Sequence, residues 1–129
     1  MMSPWRFIVP PRFEADTHDL LDTLTRTFTD ATNTGEEAVM RKIADDLDDI
    51  DELLDGIRAL VTGTHPDILG LKPSHLQAPS PYTVRVLTRG DWSVYFRIQD
   101  PPPQGWPVCI VHKGTPGASI QQRLQEAIP

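Results

Sequence analysis

The stretch from residue 81 to residue 98, PYTVRVLTRGDWSVYFRI, constrains the fold most, because apolar and polar residues alternate on both sides of a central glycine. Alternation with period two around a turn predicts a β-hairpin with one buried face. A three-residue loop over 88–90 places Gly90 third, where a type I turn with a bulge needs a left-handed residue. This loop predicts that Val86 lies opposite Trp92.

The predicted register divides the hairpin into an apolar face and a polar face. The apolar face, which we expect to pack on the core, contains Tyr82, Val84, Val86, Trp92, Val94, Phe96 and Ile98. The polar face carries Arg85, Tyr95 and Arg97 within cross-strand reach of one another. The sequence therefore predicts a cationic surface on one side of the sheet.

Helical and strand patterns in the rest of the chain predict one α+β domain over residues 1–129. The predicted elements are a strand within 1–9, a helix over 12–28, a long acidic helix over 35–62, a three-strand meander over 82–111 and a C-terminal helix over 119–128. The resulting order, β-α-α-β-β-β-α, predicts a small antiparallel sheet packed against the two N-terminal helices.

The long acidic helix has the clearest pattern. Thr34 and Glu37 fit a capping box at its beginning. Its apolar residues recur at steps of four and three, namely Val39, Ile43, Leu47, Ile50, Leu54, Ile57 and Val61. We expect this seam to pack on the first helix or on a second subunit, which would form a homodimer through the long helix. The acidic outer face is either solvated or a patch for a basic partner.

Composition limits the classes of function. The net charge is −6, with 7 Lys and Arg against 15 Asp and Glu in residues 1–80, and 5 against 3 in residues 81–129. An acidic total argues against simple nucleic-acid binding, although the second half is mildly basic. A single cysteine excludes an internal disulfide, and the histidines lack metal-ligand spacing, so we expect no metal and no cofactor. Without a signal peptide or a bilayer-spanning run, we expect a soluble, cytoplasmic protein that has no membrane partner.

Three segments carry a resemblance to a known protein family. An opening strand and first helix of that family are similar to WRFIVPPRFEADTHDLLDTL, residues 5–24. Its connector and central hairpin resemble LGLKPSHLQAPSPYTVRVLTRGDWSVYFRI, residues 69–98, and its last strand resembles WPVCIVHKG, residues 106–114. The family is the RelE/ParE superfamily of toxins from bacterial toxin–antitoxin systems. The resemblance implies a RelE-like fold and a cognate antitoxin protein that neutralises the chain.

The resemblance also implies one of two activities, which are metal-independent cleavage of mRNA on the ribosome and inhibition of DNA gyrase. Cleavage of RNA needs an acid, a base and cations around the phosphate. Arg85 and Arg97 are candidates for clamping a phosphate, and Tyr95 is a candidate for stacking on an RNA base. His112 and Lys113 are candidates for acid–base catalysis and for stabilising phosphate charge. Each residue also has a plain structural explanation, as a surface arginine, a sheet-covering tyrosine or an incidental strand-end residue.

The chain supports three functional hypotheses. The first is a RelE-like, ribosome-dependent mRNA endoribonuclease that uses Arg85, Arg97, His112 and Lys113 as catalytic residues. The second is a ParE-like, non-nucleolytic toxin that inhibits DNA gyrase. The third is an interaction module that has the fold without the chemistry. Ser93 favours the last two hypotheses, because RelE-like nucleases commonly have arginine after the hairpin aromatic.

Overall fold

The computed structural model describes residues 6–62, 71–99 and 104–126 and confirms an α+β fold. Its elements, in chain order, are β1 (Arg6–Phe7), α1 (Pro11–Thr34), α2 (Glu37–Thr62), β2 (Lys72–Pro73), β3 (Thr83–Arg89), β4 (Trp92–Gln99), β5 (Gln104–His112) and α3 (Gly117–Glu126). The predicted order is correct apart from β2, a two-residue strand that no sequence pattern indicated. Residues 1–5 of the predicted first strand and 127–128 of the predicted last helix lie outside the described residues.

A mixed five-stranded sheet, in the order β1-β5-β4-β3-β2, forms the middle layer. The strands from β2 to β5 are antiparallel neighbours, but β1 lies parallel to β5, with Phe7 beside Gly105. The prediction of a purely antiparallel sheet is therefore wrong. Because β1 and β5 are far apart in the chain, no tight turn imposes the antiparallel direction that a hairpin requires.

The β3–β4 hairpin has a two-residue loop, 90–91, instead of the predicted three-residue loop. Val86 lies opposite Tyr95 and not opposite Trp92, so the predicted pairing is wrong. Gly90 does have a left-handed conformation, with φ 56°, but at the first position of the loop. The prediction failed because it assumed that one face of β3 is exposed to solvent.

A buried core lies on each face of the sheet. The core between the sheet and the α1–α2 pair contains Trp92, Val94, Phe96 and Ile98 from β4 and Ile50, Leu53 and Ile57 from α2. The core on the other face contains Val84, Trp106, Val108, Cys109, and Ile120 and Leu124 from α3. The predicted burial of the apolar β4 residues is confirmed. Burial on both faces explains why β3 carries apolar residues in both of its alternating sets.

The first helix extends beyond its predicted end at residue 28 and reaches Thr34. Thr29, Thr32 and Thr34 each donate the hydroxyl to the carbonyl oxygen four residues earlier, so these weak helix formers remain within the helix. Gly35, with φ 73°, ends α1, and its N–H donates to carbonyls of the last turn. Thr34 is therefore the last residue of α1 rather than the N-cap of α2, which begins at Glu37.

The apolar stripe of α2 is turned towards the sheet relative to the predicted seam. Leu53 and Leu60 are buried although they lie outside that seam, whereas Val39 and Val61, which belong to it, are 39% and 44% exposed. The reason is that α2 packs on α1 and on the sheet at once. A helix with two neighbours needs a wider apolar stripe than a helix in a two-helix seam.

Candidate functional site

The observed register separates the three residues that were predicted to share a polar face. Arg85 lies opposite Phe96 and so faces α1 and α2, whereas Tyr95 and Arg97 lie on the face that packs on α3. The predicted shared face is therefore wrong. The observed pairing differs from the predicted pairing by an odd number of positions, which moves every β3 side chain to the other face of the sheet.

Arg85 hydrogen-bonds to the backbone at the outer edge of the sheet. Its Nη1 donates to the carbonyl oxygen of Leu71 at 2.8 Å, which links β3 to the chain that enters β2. The residue also lines a groove of about 660 Å³ at the same edge, together with Ser74, His75 and Thr83. The guanidinium thus has a structural role that is independent of any ligand.

Arg97 is enclosed by aromatic rings on the opposite face. Only 5% of the residue is exposed. Its guanidinium carbon lies 4.4 Å from the centroid of Tyr82 and 5.4 Å from that of Trp106, and these two rings meet edge to face. Burial lowers the pKa of Arg97 below its usual value. The ring faces attract the cation, and they also cover the approach that a phosphate would need.

Tyr95 packs on the second core and pairs across the strands with Cys109. Partial burial raises the pKa of the Tyr95 hydroxyl above 10.0, and the neighbouring Cys109 contributes in the same direction. Burial also raises the pKa of the Cys109 thiol to about 11. The thiol therefore stays protonated and unreactive at neutral pH, and the tyrosine ring serves to cover the sheet.

His112 and Lys113 lie together at the end of β5, beside the β3–β4 turn. Both approach the carboxylate of Asp91, with His112 Nε2 at 3.9 Å and Lys113 Nζ at 3.2 Å. Lys42 of α2 reaches the same carboxylate at 2.8 Å and contacts Asp46 at 2.8 Å as well. We call these five residues the Asp91 cluster.

Hydrogen bonds inside the Asp91 cluster stabilise the charged forms of Lys42 and Asp91. The bonds that Lys42 donates to Asp46 and then to Asp91 raise the pKa of Lys42 above 10.5. The bonds from Lys42 and then from Lys113 lower the pKa of Asp91 below 3.8. The side chains of His112 and Lys113 are 41% and 68% exposed, and the imidazole meets the Trp92 ring edge to face. Lys42 and Asp91 are therefore charged at neutral pH, and the cluster is open to water.

The turn between β3 and β4 docks on the acidic face of α2. The Arg89 side chain lies 3.5 Å from the Glu52 carboxylate. A Cβ atom at position 90 would collide with the carboxylate of Asp49, so Gly90 permits a close approach as well as the left-handed turn. Part of the acidic face that we expected to be solvated, or free for a partner, is thus covered by the protein's own hairpin.

Sequence patterns indicated His112 and Lys113 as site residues but not Lys42, Asp46 and Asp91. Lys42 and Asp46 are four residues apart in a helix, a spacing that indicates an ion pair. Asp91 joins them from a turn 49 residues further along the chain. Local patterns carry no signal for a contact of that kind, which depends on how α2 packs on the sheet.

Within the described ranges, no three His, Cys, Asp or Glu residues are arranged to hold a metal ion. No helix in those same ranges has the length and apolar character needed to cross a membrane. Comparisons of the chain with family models, with curated proteins and with solved structures find no match.

Proposed function

We propose that this protein is a RelE/ParE-like toxin component that acts by binding its target, DNA gyrase, and does not cleave RNA. In this proposal a cognate antitoxin neutralises it in the bacterial cytoplasm. The element order, a strand, two long helices, a strand series and a helix, agrees with the resemblance apart from the short β2. That order supports the family but does not distinguish between its two activities.

The observation that favours binding over cleavage is the placement of the two candidate phosphate clamps. A clamp needs its cations on one accessible surface, where both reach the same phosphate. Here Arg85 and Arg97 lie on opposite faces of the sheet. The first donates to Leu71, and the second lies against two aromatic rings. A sheet-based nuclease site would have to break both arrangements.

The experiment is to induce expression in bacteria and to assay the purified protein against both targets. We expect growth arrest, inhibition of supercoiling by DNA gyrase with gyrase-linked DNA breaks, and no ribosome-dependent cuts in mRNA. Cuts in mRNA on the ribosome would contradict the proposal. Harmless expression, with neither assay responding, would leave the interaction-module hypothesis instead.

The Asp91 cluster favours a second candidate function, a RelE-like endoribonuclease whose centre is the hairpin tip and not the sheet face. A half-exposed imidazole beside a carboxylate is a group that can serve in general acid–base catalysis. Lys113 supplies an adjacent exposed cation. In this hypothesis His112 is the acid or base, and Arg85, Arg97 and Tyr95 act only as structural residues.

One pair of variants distinguishes the gyrase-binding toxin from the endoribonuclease. His112→Ala removes the imidazole of the cluster, while His75→Ala removes an exposed imidazole elsewhere. If the tip is a nuclease centre, His112→Ala abolishes the mRNA cuts and His75→Ala leaves them unchanged. If both variants arrest growth like the wild-type protein, the tip is not catalytic.

A further inference from the structure

Two apolar grooves lie along the seam between α1 and α2, and residues of both helices line each of them. The first groove, of about 320 Å³, has Val9, Phe13, Leu21, Leu54 and Ile57 as its apolar lining. The second, of about 450 Å³ near the α1–α2 connection, is lined by Phe28, Met40 and Ala44, with Glu37 and Arg41 at its rim. The seam therefore offers two separate apolar sites to a ligand that lies along the α1–α2 helix pair.

An acidic ridge, formed by Asp48, Asp51 and Asp55, runs along α2 between Ala44, which lines the second groove, and Arg58, which lines the first. Ala44 and the three aspartates follow one another at steps of four, three and four residues, so their side chains share one helix face. All four residues are exposed. Asp55 contacts Arg58, whereas Asp48 and Asp51 have no ion pair within the described part of the chain.

The net charge of the α1–α2 helix pair determines what kind of partner it attracts. Residues 11–62 contain 14 Asp and Glu against 5 Lys and Arg. Such a surface attracts cationic segments and repels acidic ones. A second copy of this chain would bring two acidic ridges together, so charge complementarity selects a basic partner over self-association.

We propose that this seam binds a basic amphipathic helix of a partner protein. The apolar side chains of that partner helix enter the two grooves, and the lysines or arginines of the same helix contact the acidic ridge. Ala44 and Ile57 represent the two grooves on α2, and helix rise separates them by roughly 20 Å, between three and four turns. The bound helix accordingly presents two apolar anchors at that spacing on one face. This inference does not rest on toxicity, because it concerns binding between purified components.

The probe is a synthetic 18-residue peptide with leucines along one helical face and lysines along the other, labelled for fluorescence anisotropy. One control peptide has the same composition with leucine and lysine alternating, and a second replaces lysine by glutamate. We expect the amphipathic lysine peptide to bind at least tenfold more tightly than the alternating peptide at low salt. The glutamate peptide shows no binding, because the ridge repels it.

Two matched variants locate the binding surface. Ala44→Lys places a long cationic side chain in the second groove, and Ala38→Lys makes the same change at another exposed position of α2 that lines neither groove. We expect Ala44→Lys to weaken binding at least tenfold and Ala38→Lys less than threefold. The double variant Asp48→Asn with Asp51→Asn leaves the grooves intact. It loses about fivefold in affinity at low salt and less at high salt, since salt screens exposed charges.

Circular dichroism melting confirms that each variant is folded before its binding is compared. Equal binding of the amphipathic and alternating peptides would overturn the proposal, because charge alone would then explain the affinity. So would equal weakening by the two lysine variants. Sedimentation of the wild-type protein tests the alternative occupant of the seam, a second copy of this chain. A stable dimer that Ala44→Lys dissociates would show that a second copy fills the seam, and the proposal of a basic partner helix would be wrong.

Discussion

A cross-strand disulfide tests the hairpin register, on which the argument against a sheet-based nuclease site depends. In the structure Thr88 lies opposite Ser93, and their hydroxyl oxygens are 2.9 Å apart. Directly opposed side chains that converge in this way are within disulfide reach. We therefore expect the double variant Thr88→Cys with Ser93→Cys to form a disulfide spontaneously in air.

The expected stabilisation follows from the length of chain that the disulfide closes. The loop from residue 88 to residue 93 spans six residues. The chain-entropy relation for a loop of that length gives about 2 kcal/mol. For a domain of this size about 1 kcal/mol corresponds to a shift of roughly 4 °C in Tm, so the oxidised form should melt about 8 °C above the reduced form. The comparison uses the same variant in two redox states, so the lost hydroxyl contact cancels.

Thiol counting and a matched control make the result decisive. The denatured oxidised variant should show one titratable thiol, from Cys109, and the reduced variant three. Arg85→Cys with Ser93→Cys is the control, because the three-residue loop would set these residues opposite each other. The observed register places them on different faces. A disulfide in the control, and none in the test variant, would refute the register and restore Arg85 to the face of Arg97.

Further outcomes test the core, the turn and the cluster. Phe96→Ala, at a fully buried position, should lower the free energy of unfolding measured in urea by roughly 3–5 kcal/mol. Gly90→Ala should lower the free energy of unfolding by at least about 1 kcal/mol from the left-handed φ alone. Adding Asp49→Ala should restore the part of that loss that arises from the collision between the new Cβ atom and the Asp49 carboxylate. Asp91→Asn should flatten the acid limb of stability measured against pH. The lowered pKa of Asp91 contributes stability above its unfolded value of 3.8, which is lost as pH falls through the folded value. An unchanged acid limb would mean that the Asp91 cluster does not stabilise the fold.

The elements of this fold could be predicted because their signals are local. The alternation in β4 identified Trp92, Val94, Phe96 and Ile98 as core residues, and their burial confirms it. The seven-residue seam located α2, and its steps of four and three were sufficient without knowledge of what it packs against. The end of α1 was missed, since the threonines hydrogen-bond to their own helix and so remain helical despite low propensity.

The register and the candidate site could not be predicted in the same way, because each depends on long-range packing. Choosing between loop lengths required knowing whether β3 is covered on one face or two. The Thr83–Arg89 segment carries Val84 and Val86 on one face and Leu87 on the other, and both sets are now seen to contact protein. The Asp91 cluster joins α2, the turn and the end of β5, three parts that are adjacent only after the layers pack.

The core on each face of the sheet limits how much of the sheet surface a ligand can reach. The sheet packs on α1 and α2 on one side, and on the other side a second core with α3 covers part of its surface. The larger accessible surfaces of the described chain are the sheet edge, the hairpin tip and the outer surface of the helices. The tip carries charges that are largely neutralised by one another, whereas the acidic ridge of α2 keeps Asp48 and Asp51 without an ion pair among the described residues. The outer helical surface therefore combines two apolar grooves with carboxylates that form no ion pair among the described residues, and apolar surface and charge are the properties that a protein partner recognises.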